Sequence, residues 1–234
     1  MITLRKAAER GYANHGWLES WHSFSFADYQ DPAHVRFGPL RVINEDIVQP
    51  GTGFDTHGHR DMEILTYVLS GTLRHRDNMN NEGDIRHGEI QLMRAGSGVL
   101  HSEFNPSPDE VVHLLQIWVM PDAQGLQPGY WQKTVPLQHN QWNLLVSPDA
   151  AHDASDDALH IHQDARVSSA LLGDDEVLDY PLAAGRRAYL HVARGSLTAN
   201  GMTLNAGDAL MYTDEDSVKL SAGENAEVLL FDMV

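Results

Sequence analysis

The chain has 234 residues, which is enough for one large domain or for two domains of roughly 100 residues each. It carries 16 lysines and arginines against 33 aspartates and glutamates, so its formal net charge is −17 and contact with phosphate backbones or anionic membranes is disfavoured. It has no cysteine, which excludes disulfides, thiolate nucleophiles and cysteine-bound metals, so any bound metal must use histidine and carboxylate ligands.

The N-terminal segment MITLRKAAERG carries positive charge, but no apolar stretch follows it, so it does not resemble a signal peptide. No apolar run in the sequence approaches the roughly 18 residues that a membrane helix requires. We therefore expect a cytoplasmic protein that does not bind a membrane.

Short segments rich in β-branched and aromatic residues recur along the chain and alternate with Gly, Asn, Asp and Pro. The segments are LRVINEDI, MEILTYVLSG, GEIQLMRAG, VHLLQIWVM, RAYLHVARG, GDALMYT and AEVLLFDM. This rhythm predicts antiparallel strands in a barrel or a sandwich. Helical periodicity is weak, and only residues 122–127 and 164–172 leave room for a turn or a short helix. The sequence therefore predicts an all-β fold with few short helices.

A weak internal repeat indicates that the fold contains two similar barrels. YVLSGTL (67–73) and GEIQLM (88–93) form the first copy. HVARGSL (191–197) and GDALMY (207–212) form the second copy. In both copies a strand reaches a glycine, turns and returns through a Gly-acidic pair, which is the pattern expected of a duplicated unit.

The boundary between the barrels is predicted from composition. Residues 122–157 are richer in Pro, Gln, Asn, Asp and Ala than the flanking strands, which indicates a connector. We therefore predict an N-terminal barrel in residues 1–135 and a C-terminal barrel in residues 136–234.

Two pairs of potential metal ligands stand out in the N-terminal half. His57 and His59 lie in FDTHGHRDMEILTYV, and residues two apart on a strand point to the same face. His101 and Glu103 repeat this spacing in GVLHSEFN. On neighbouring barrel strands the two pairs would supply three imidazole nitrogens and one carboxylate oxygen, with open positions for water, substrate or dioxygen. The spacing predicts a redox-capable metal site, and Glu63 offers a rival carboxylate.

A third pair, His160 and His162 in ALHIHQDARV, has the same spacing. No second His or Glu pair follows it at barrel spacing. Aligning the two repeats puts Pro181 and Ala183 where the first copy has its histidine pair. We therefore predict that the C-terminal barrel is degenerate and binds no metal.

The two ligand segments resemble the motifs of the cupin superfamily. GTGFDTHGHRDMEILTYVLSG looks like the first motif, and GSGVLHSEFN looks like the second, in which His101 is followed four residues later by Asn105. Two departures are present. Gly96 replaces the usual Pro, and Glu63 stands where a metal-binding cupin glutamate could stand, in competition with Glu103.

Further segments resemble the pirin family within that superfamily. They are GWLESWHSFSFADYQDP, LRVINED, THGHRDMEI, HSEFNPS and VSPDA. By this resemblance the metal ligands are His57, His59, His101 and Glu103. Glu63 is then structural, or an outer partner that could hydrogen-bond a ligand imidazole and fix its tautomer.

Bacterial pirin-like proteins are associated with quercetin 2,3-dioxygenase activity. The resemblance implies an oxidoreductase that cleaves a flavonol such as quercetin with O₂, releasing CO and a depside. A metal-bound carboxylate beside the substrate is suited to accept a proton, so we expect Glu103 to act as the catalytic base. It also implies one divalent ion. Fe(II) is the ion we expect, and Zn, Mn, Co, Ni or Cu would also suit the ligands. The alternative is a metal-dependent, redox-responsive regulatory protein that binds a protein partner without turnover. In either case we expect a monomer that does not contact nucleic acid directly.

Overall fold

The computed structural model describes residues 1–151 and 158–234, and these residues form two compact units. One unit is Gly11–Val135, and the other combines Met1–Arg10 with Pro136–Val234. Across the described residues, no helix has the length and apolar character needed to cross a membrane.

The predicted all-β fold is confirmed. The described residues contain twenty strands, numbered β1 to β20 in chain order, and a single 3-10 turn at Ala7–Glu9. The first ten strands are β1 (Ile2–Arg5), β2 (Gly11–Asn14), β3 (Leu18–His22), β4 (Leu40–Val48), β5 (Gly53–His59), β6 (Glu63–Ser70), β7 (Thr72–Asp77), β8 (Glu82–Arg86), β9 (Glu89–Arg94) and β10 (Val99–Phe104). The others are β11 (Val112–Val119), β12 (Gly129–Thr134), β13 (Asn143–Ser147), β14 (Leu159–His160), β15 (Ala165–Leu172), β16 (Val177–Pro181), β17 (Arg187–Ala199), β18 (Met202–Asn205), β19 (Ala209–Thr213) and β20 (Ser217–Met233).

The unit Gly11–Val135 consists of two antiparallel sheets. The larger sheet has the strand order β12-β9-β6-β11-β4-β3-β2, and the smaller has the order β5-β10-β7-β8. Strands alternate their side chains between two faces, so each sheet can contribute apolar residues to a shared core. One such core cluster contains Leu18, Val48, Val68, Leu73, Ile85, Val112 and Leu114. Both sheets contribute to this cluster, so the space between the sheets is the interior of the unit.

The other unit is built from one nine-stranded sheet. Its main path is β1-β19-β17-β20-β15-β13-β14, with β16 on β20 and β18 on β17. The long strands β17 and β20 shift register at three points between Val192 and Thr198, and such bulges bend a strand. Gly195 lies at this bend with a φ of 66°, and a Cβ there would collide with the backbone of Glu224 and Asn225. The bend explains how one sheet can enclose its own core.

The two segments that left room for a turn or a helix have different structures. Residues 122–125 form bends, and Gly125 takes a φ of 67°. Ala165–Leu172 is a strand, because it pairs with β13 on one side and β20 on the other. An interior strand covered on both faces loses the strict polar alternation, so its sequence is easily confused with that of a buried helix.

Candidate metal centre

The predicted ligand pairs lie on neighbouring strands of the smaller sheet. β5 and β10 pair antiparallel, and His57 lies opposite His101. The register shifts between His101 and Glu103, so that Glu103 lies opposite Phe54. A bulge of this kind changes the direction in which the following side chains point. The two strands therefore bring the pairs together, but with an offset at Glu103.

Three histidine side chains converge at this point. The ring centroids of His57 and His101 are 4.4 Å apart, and His59 lies 4.8 Å from His57 and 4.9 Å from His101. The Nε2 atoms of His57 and His101 are 3.0 Å apart. Two nitrogens that each lie about 2.1 Å from one ion, at right angles to each other, would be about 3.0 Å apart. The arrangement therefore fits adjacent ligands of a single divalent ion.

The protonation of these histidines also suits metal binding. Nδ1 of His57 lies 2.7 Å from the carbonyl oxygen of Asp55, so Nδ1 carries the proton and Nε2 keeps its lone pair. Burial lowers the pKa of His59 to about 4, and His57 adds to this shift. Burial, together with the neighbouring histidines, lowers the pKa of His101 well below its usual range. His59 and His101 are therefore neutral imidazoles at pH 7, the form that binds metal ions.

Glu103 is buried and held firmly by its neighbours. The amide Nε2 of Gln116 lies 2.7 Å from both carboxylate oxygens, and Oγ1 of Thr66 lies 3.5 Å from Oε1. Burial raises the pKa of Glu103 to about 7, with a further increase from the nearby Asp46, although the hydrogen bonds from Gln116 and Thr66 act in the opposite direction. A bound cation would lower this pKa, because an opposite charge favours the carboxylate.

Two groups of three potential ligands occur within the part of the chain that the structure describes. In each group the ligand atoms lie within 4.8 Å of one another. One group is His57, His59 and His101, and the other is His75, His101 and Glu103. The three predicted histidines therefore lie together, whereas Glu103 shares only His101 with them and lies beside His75.

His75 was not singled out by the sequence analysis, and neither was its partner Asp77. Both side chains have no exposed surface, and His75 Nε2 lies 3.1 Å from Oδ2 of Asp77. Burial lowers the pKa of His75 despite the opposing effect of Asp77. Burial tends to raise the pKa of Asp77, but hydrogen bonds from Asn81 and His75 outweigh it and leave the pKa below its usual value. The signal in the sequence is the two-residue interval of His and Asp within RHRD, the same spacing that revealed the ligand pairs.

The rival carboxylate, Glu63, lies in a buried ion pair. Its Oε1 accepts a hydrogen bond from Nε of Arg94 at 2.9 Å, and both side chains are buried. The Arg94 guanidinium lies 4.8 Å from the ring centre of Trp131, in a cation–π contact. This ion pair gives Glu63 a structural role.

A cavity of about 850 Å³ opens onto the three histidines. One part of its wall is aromatic and contains Trp17, Phe26, Tyr29, Phe54 and Trp118. Another part is polar and contains Ser20, His22, Asn44, Asp46 and Gln116. Trp118 lies edge-on to His59, with 4.9 Å between ring centroids, so the aromatic wall reaches the candidate ligands. The volume is typical of a site for a small organic molecule.

The polar wall is organised by hydrogen bonds. The hydroxyl of Ser20 donates to Oδ1 of Asp46, and Nδ1 of His22 lies 2.9 Å from Oδ1 of Asn44. Burial raises the pKa of Asp46 to about 7, against the effect of the Ser20 hydrogen bond. The cavity therefore holds a second carboxyl whose charge changes near neutral pH.

Two further polar residues on β11, His113 and Gln116, have distinct surroundings. His113 lies 2.9 Å from Oε1 of Glu45, partly exposed, whereas Gln116 is buried against Glu103. The odd spacing between His113 and Gln116 places them on opposite faces of β11. Gln116 is therefore part of the site, and His113 belongs to the outer face of the sheet.

His160 and His162 lie in the other unit. Their ring centroids are 4.9 Å apart, and Nδ1 of His160 lies 3.1 Å from the carbonyl oxygen of Ala150. Neither belongs to a group of three potential ligands among the described residues. The absence of a metal from the C-terminal barrel stays a prediction.

Paired antiparallel sheets with a histidine cluster facing an interior cavity define a protein of the cupin class. A family model described as Pirin matches residues 3–119, and one described as Quercetinase C-terminal cupin domain matches residues 144–233. The chain belongs to the pirin family. The family resemblance and the two cupin barrels inferred from the sequence are thereby confirmed.

Several relatives match over nearly their full length. A quercetin 2,3-dioxygenase of Escherichia coli K12 is 48% identical over 233 residues, which cover 100% of this chain and 99% of the relative. The crystal structure of the bacterial pirin YhhW from Escherichia coli in complex with nickel(II) is 47% identical, with a TM-score of 0.93 and coverage of 100% and 99%. A pirin-like protein of Caulobacter vibrioides is 40% identical over 99% of both chains. Relatives of this family thus include a metal-bound structure and an oxidoreductase.

Proposed function

We propose that this chain is a metal-dependent dioxygenase that cleaves a flavonol such as quercetin with O₂, releasing CO and a depside. The observation that carries the proposal is the convergence of His57, His59 and His101 on a cavity with an aromatic wall and a buried carboxyl group. The relative named quercetin 2,3-dioxygenase supports the choice of substrate.

His57, His59, His101 and Glu103 would hold one divalent ion. When bound, the ion supplies a coordination site at which an oxidisable substrate and dioxygen can meet. The nickel complex of the similar Escherichia coli structure supports a divalent ion at such a site. We propose Fe(II) as the native ion because its redox chemistry suits dioxygen, and the ligands would also suit Zn, Mn, Co, Ni or Cu.

The cavity walls suit a flat, hydroxylated aromatic substrate. Trp17, Phe54 and Trp118 offer ring surfaces on which a flavonol can pack. Asp46 and Asn44 offer hydrogen-bond acceptors to hydroxyl groups of the substrate. The combination of a large apolar surface with a few fixed polar groups orients a small molecule and excludes water from it.

Glu103 is proposed as the catalytic base. Its carboxylate lines the cavity, and Gln116 fixes its orientation through contacts of 2.7 Å to both oxygens. In this role it accepts the proton of the flavonol 3-hydroxyl as the substrate docks, which makes the substrate easier to oxidise. Gln116 then positions the base but takes no proton itself.

The proposal is tested by metal analysis of protein purified without chelator, followed by quercetin and O₂ consumption with each metal restored. We expect turnover with Fe(II) or another divalent ion, and CO among the products. If no restored metal supports flavonol oxidation, the dioxygenase proposal fails and the regulatory alternative is favoured.

Two variants separate metal binding from base chemistry. His101→Ala removes a ligand and should lose most bound metal and activity while the β fold persists, because the apolar cores are untouched. Glu103→Gln keeps the size of the side chain but removes the base, so it should lose turnover more than it loses metal. A metal-replete Glu103→Gln variant with the wild-type rate would contradict the role of Glu103 as base.

We also propose that the chain is a cytoplasmic monomer that contacts neither nucleic acid nor membranes. The net charge of −17 supports the absence of contact with nucleic acid and membranes, because such a surface is repelled by anionic polymers and lipids. Light scattering coupled to size-exclusion chromatography measures the oligomeric state.

A further inference from the structure

His101 has a second polar neighbour that the proposed metal site does not use. Its Nε2 faces Nε2 of His57, while its Nδ1 lies 3.4 Å from Nδ1 of His75. The other nitrogen of the His75 ring, Nε2, lies 3.1 Å from Oδ2 of Asp77. The three side chains, which we call the His101–His75–Asp77 chain, are all buried.

Asp77 ends this chain as an acceptor. The backbone N–H groups of Met79 and Asn81 donate to Oδ1 at 2.8 and 3.0 Å, and the amide of Asn81 donates to Oδ2 at 2.9 Å. An ionised carboxylate accepts hydrogen bonds and cannot donate them. The group that His75 presents to Asp77 must therefore be Nε2–H.

The proton on one ring then determines the proton on the next. A neutral imidazole has one N–H and one lone pair, so His75 with a proton on Nε2 presents its lone pair at Nδ1. The facing Nδ1 of His101 must carry a proton to complete the hydrogen bond. Nε2 of His101 is then left with its lone pair toward His57, where a metal ion would bind.

Tyr130 holds the middle ring in place. Its ring stacks on His75 with a centroid distance of 4.7 Å and an angle of 27°, and its hydroxyl donates to Oε1 of Gln132 at 2.8 Å. A stacked and buried imidazole cannot rotate to exchange its two nitrogens without breaking these contacts. The orientation of His75 is thus fixed from both its face and its edge.

We propose that Asp77 and His75 are positioning residues that set the tautomer of His101 and keep its Nε2 free for the metal ion. The proposal rests on the metal site of the proposed function, but not on the identity of the substrate. His57 obtains the same tautomer from the carbonyl of Asp55. Outer hydrogen-bond partners that fix ligand tautomers change metal affinity by about 10- to 100-fold when they are lost.

The decisive variant is Asp77→Asn. With Oδ1 kept for the backbone donors, the new amide NH₂ faces Nε2 of His75 and requires an acceptor there. His75 must then carry its proton on Nδ1, and His101 must carry its own on Nε2, where it blocks the metal. The control variant is Asn81→Ala. It removes the hydrogen bond from the Asn81 amide to Oδ2 of Asp77, but it leaves the Asp77 carboxylate as the acceptor for Nε2–H of His75.

The test is long-range ¹H–¹⁵N NMR of protein labelled at histidine, without metal and with Zn(II), together with Zn(II) affinity measured by chelator competition. We expect Nδ1–H on His101 in the wild type and in Asn81→Ala, and Nε2–H in Asp77→Asn. We expect Asp77→Asn to bind Zn(II) about 10- to 100-fold more weakly, with Asn81→Ala close to the wild type. These readouts are independent of flavonol turnover, so failure of the substrate proposal would leave them unchanged.

A second variant, His75→Phe, tests the proposal even if Asp77→Asn does not fold. His75→Phe keeps a ring against Tyr130 but removes both nitrogens, so it should weaken Zn(II) binding by a similar factor. The proposal is overturned if wild-type His101 carries its proton on Nε2, or if Asp77→Asn leaves both tautomers and the Zn(II) affinity unchanged. It is also overturned if Zn(II) binds Nδ1 of His101, since His75 and Glu103 would then be direct ligands of the second group.

Discussion

Asp46 shows how a single buried carboxyl can couple the fold to pH. It lies in the cavity wall and accepts a hydrogen bond from Ser20, and burial raises its pKa to about 7. A carboxyl whose pKa is higher in the folded than in the unfolded chain stabilises the fold below about pH 4, and this contribution is lost as the pH rises through 7. Above about pH 7 the buried Asp46 is ionised, and the cost of burying its charge lowers the free energy of unfolding.

The variant Asp46→Asn should remove this dependence. Asparagine keeps an oxygen for the Ser20 hydroxyl but cannot ionise, so its stability relative to the wild type should increase between pH 4 and pH 8 by up to about 4 kcal/mol. Urea unfolding of metal-free protein at both pH values measures the difference. The exposed Asp175→Asn serves as the control and should change stability by less than about 0.5 kcal/mol. A gain for Asp46→Asn that is equal at both pH values would show that Asp46 is not the titrating group.

Glu63 is a single buried carboxylate whose structural role can be separated from metal binding. The change Glu63→Gln removes the negative charge that pairs with the buried Arg94 guanidinium, which should lower the free energy of unfolding by about 2 to 4 kcal/mol. The number of metal ions bound per chain should stay that of the wild type. Denaturant titration and metal analysis of the same sample measure the two quantities. Loss of metal with unchanged stability would instead identify Glu63 as a ligand.

At the scale of elements, the sequence indicated which strands carry the candidate ligands, but it did not indicate how those strands pair. The interval of two in THGH and HSE is enough to predict that each pair shares one face of a strand. The antiparallel register of His57 with His101, and the bulge before Glu103, depend on contacts between segments more than 40 positions apart, since the two histidines differ by 44 positions. Such pairing leaves no local pattern in the sequence. His75 and Asp77 have the same two-residue spacing in RHRD, but only the pairing of β7 with β10 shows that they lie beside His101 and Glu103.

The pairing of β5 with β10 requires a residue without a side chain at Gly53. A Cβ at Gly53 would lie 2.6 Å from Cα of Phe104 and still closer to the backbone oxygen of Glu103, and backbone in a sheet cannot yield easily. Gly53→Ala should therefore separate β5 from β10, lowering stability by about 2 kcal/mol or more and weakening Zn(II) binding.

The matched control for this prediction is Gly58→Ala on the same strand. Its nearest neighbour would be the flexible end of Leu100 at 3.3 Å, so we expect a much smaller loss of both stability and Zn(II) affinity. Thermal unfolding and Zn(II) competition compare the two variants. Equal losses would show that close backbone approach at Gly53 does not matter.

At the scale of the molecule, chain order and compact units do not coincide. Met1–Arg10 belongs to the unit formed by Pro136–Val234, because β1 pairs with β19 and the backbone N–H of Ala7 donates to Asp208 at 2.8 Å. Composition could not reveal this, since an edge strand of four residues carries little signal and its partner is about 200 residues away. The internal repeat, by contrast, was visible because each copy repeats its own local pattern of strands and turns.

Deleting residues 1–5 tests this contribution. The deletion exposes the edge of β19 and removes the packing of Ile2 and Leu4 on the core, a loss of about 2 to 4 kcal/mol. Hydrogen exchange at the amides of β19 should become faster, while β15, which pairs with β13 and β20, provides the internal comparison. Unchanged exchange in β19 would contradict a stabilising role for β1.

The edge-on contact between Trp118 and His59 should make metal binding at the histidine cluster detectable by tryptophan fluorescence. Trp118 is one of five tryptophans, and its indole also contacts Phe26 at the cavity wall. Its emission should be quenched by an open-shell ion such as Ni(II) at the histidine cluster, and far less by closed-shell Zn(II) of the same charge. Subtracting the spectrum of Trp118→Phe would isolate this signal, so that filling of the site could be followed by fluorescence in real time without any substrate.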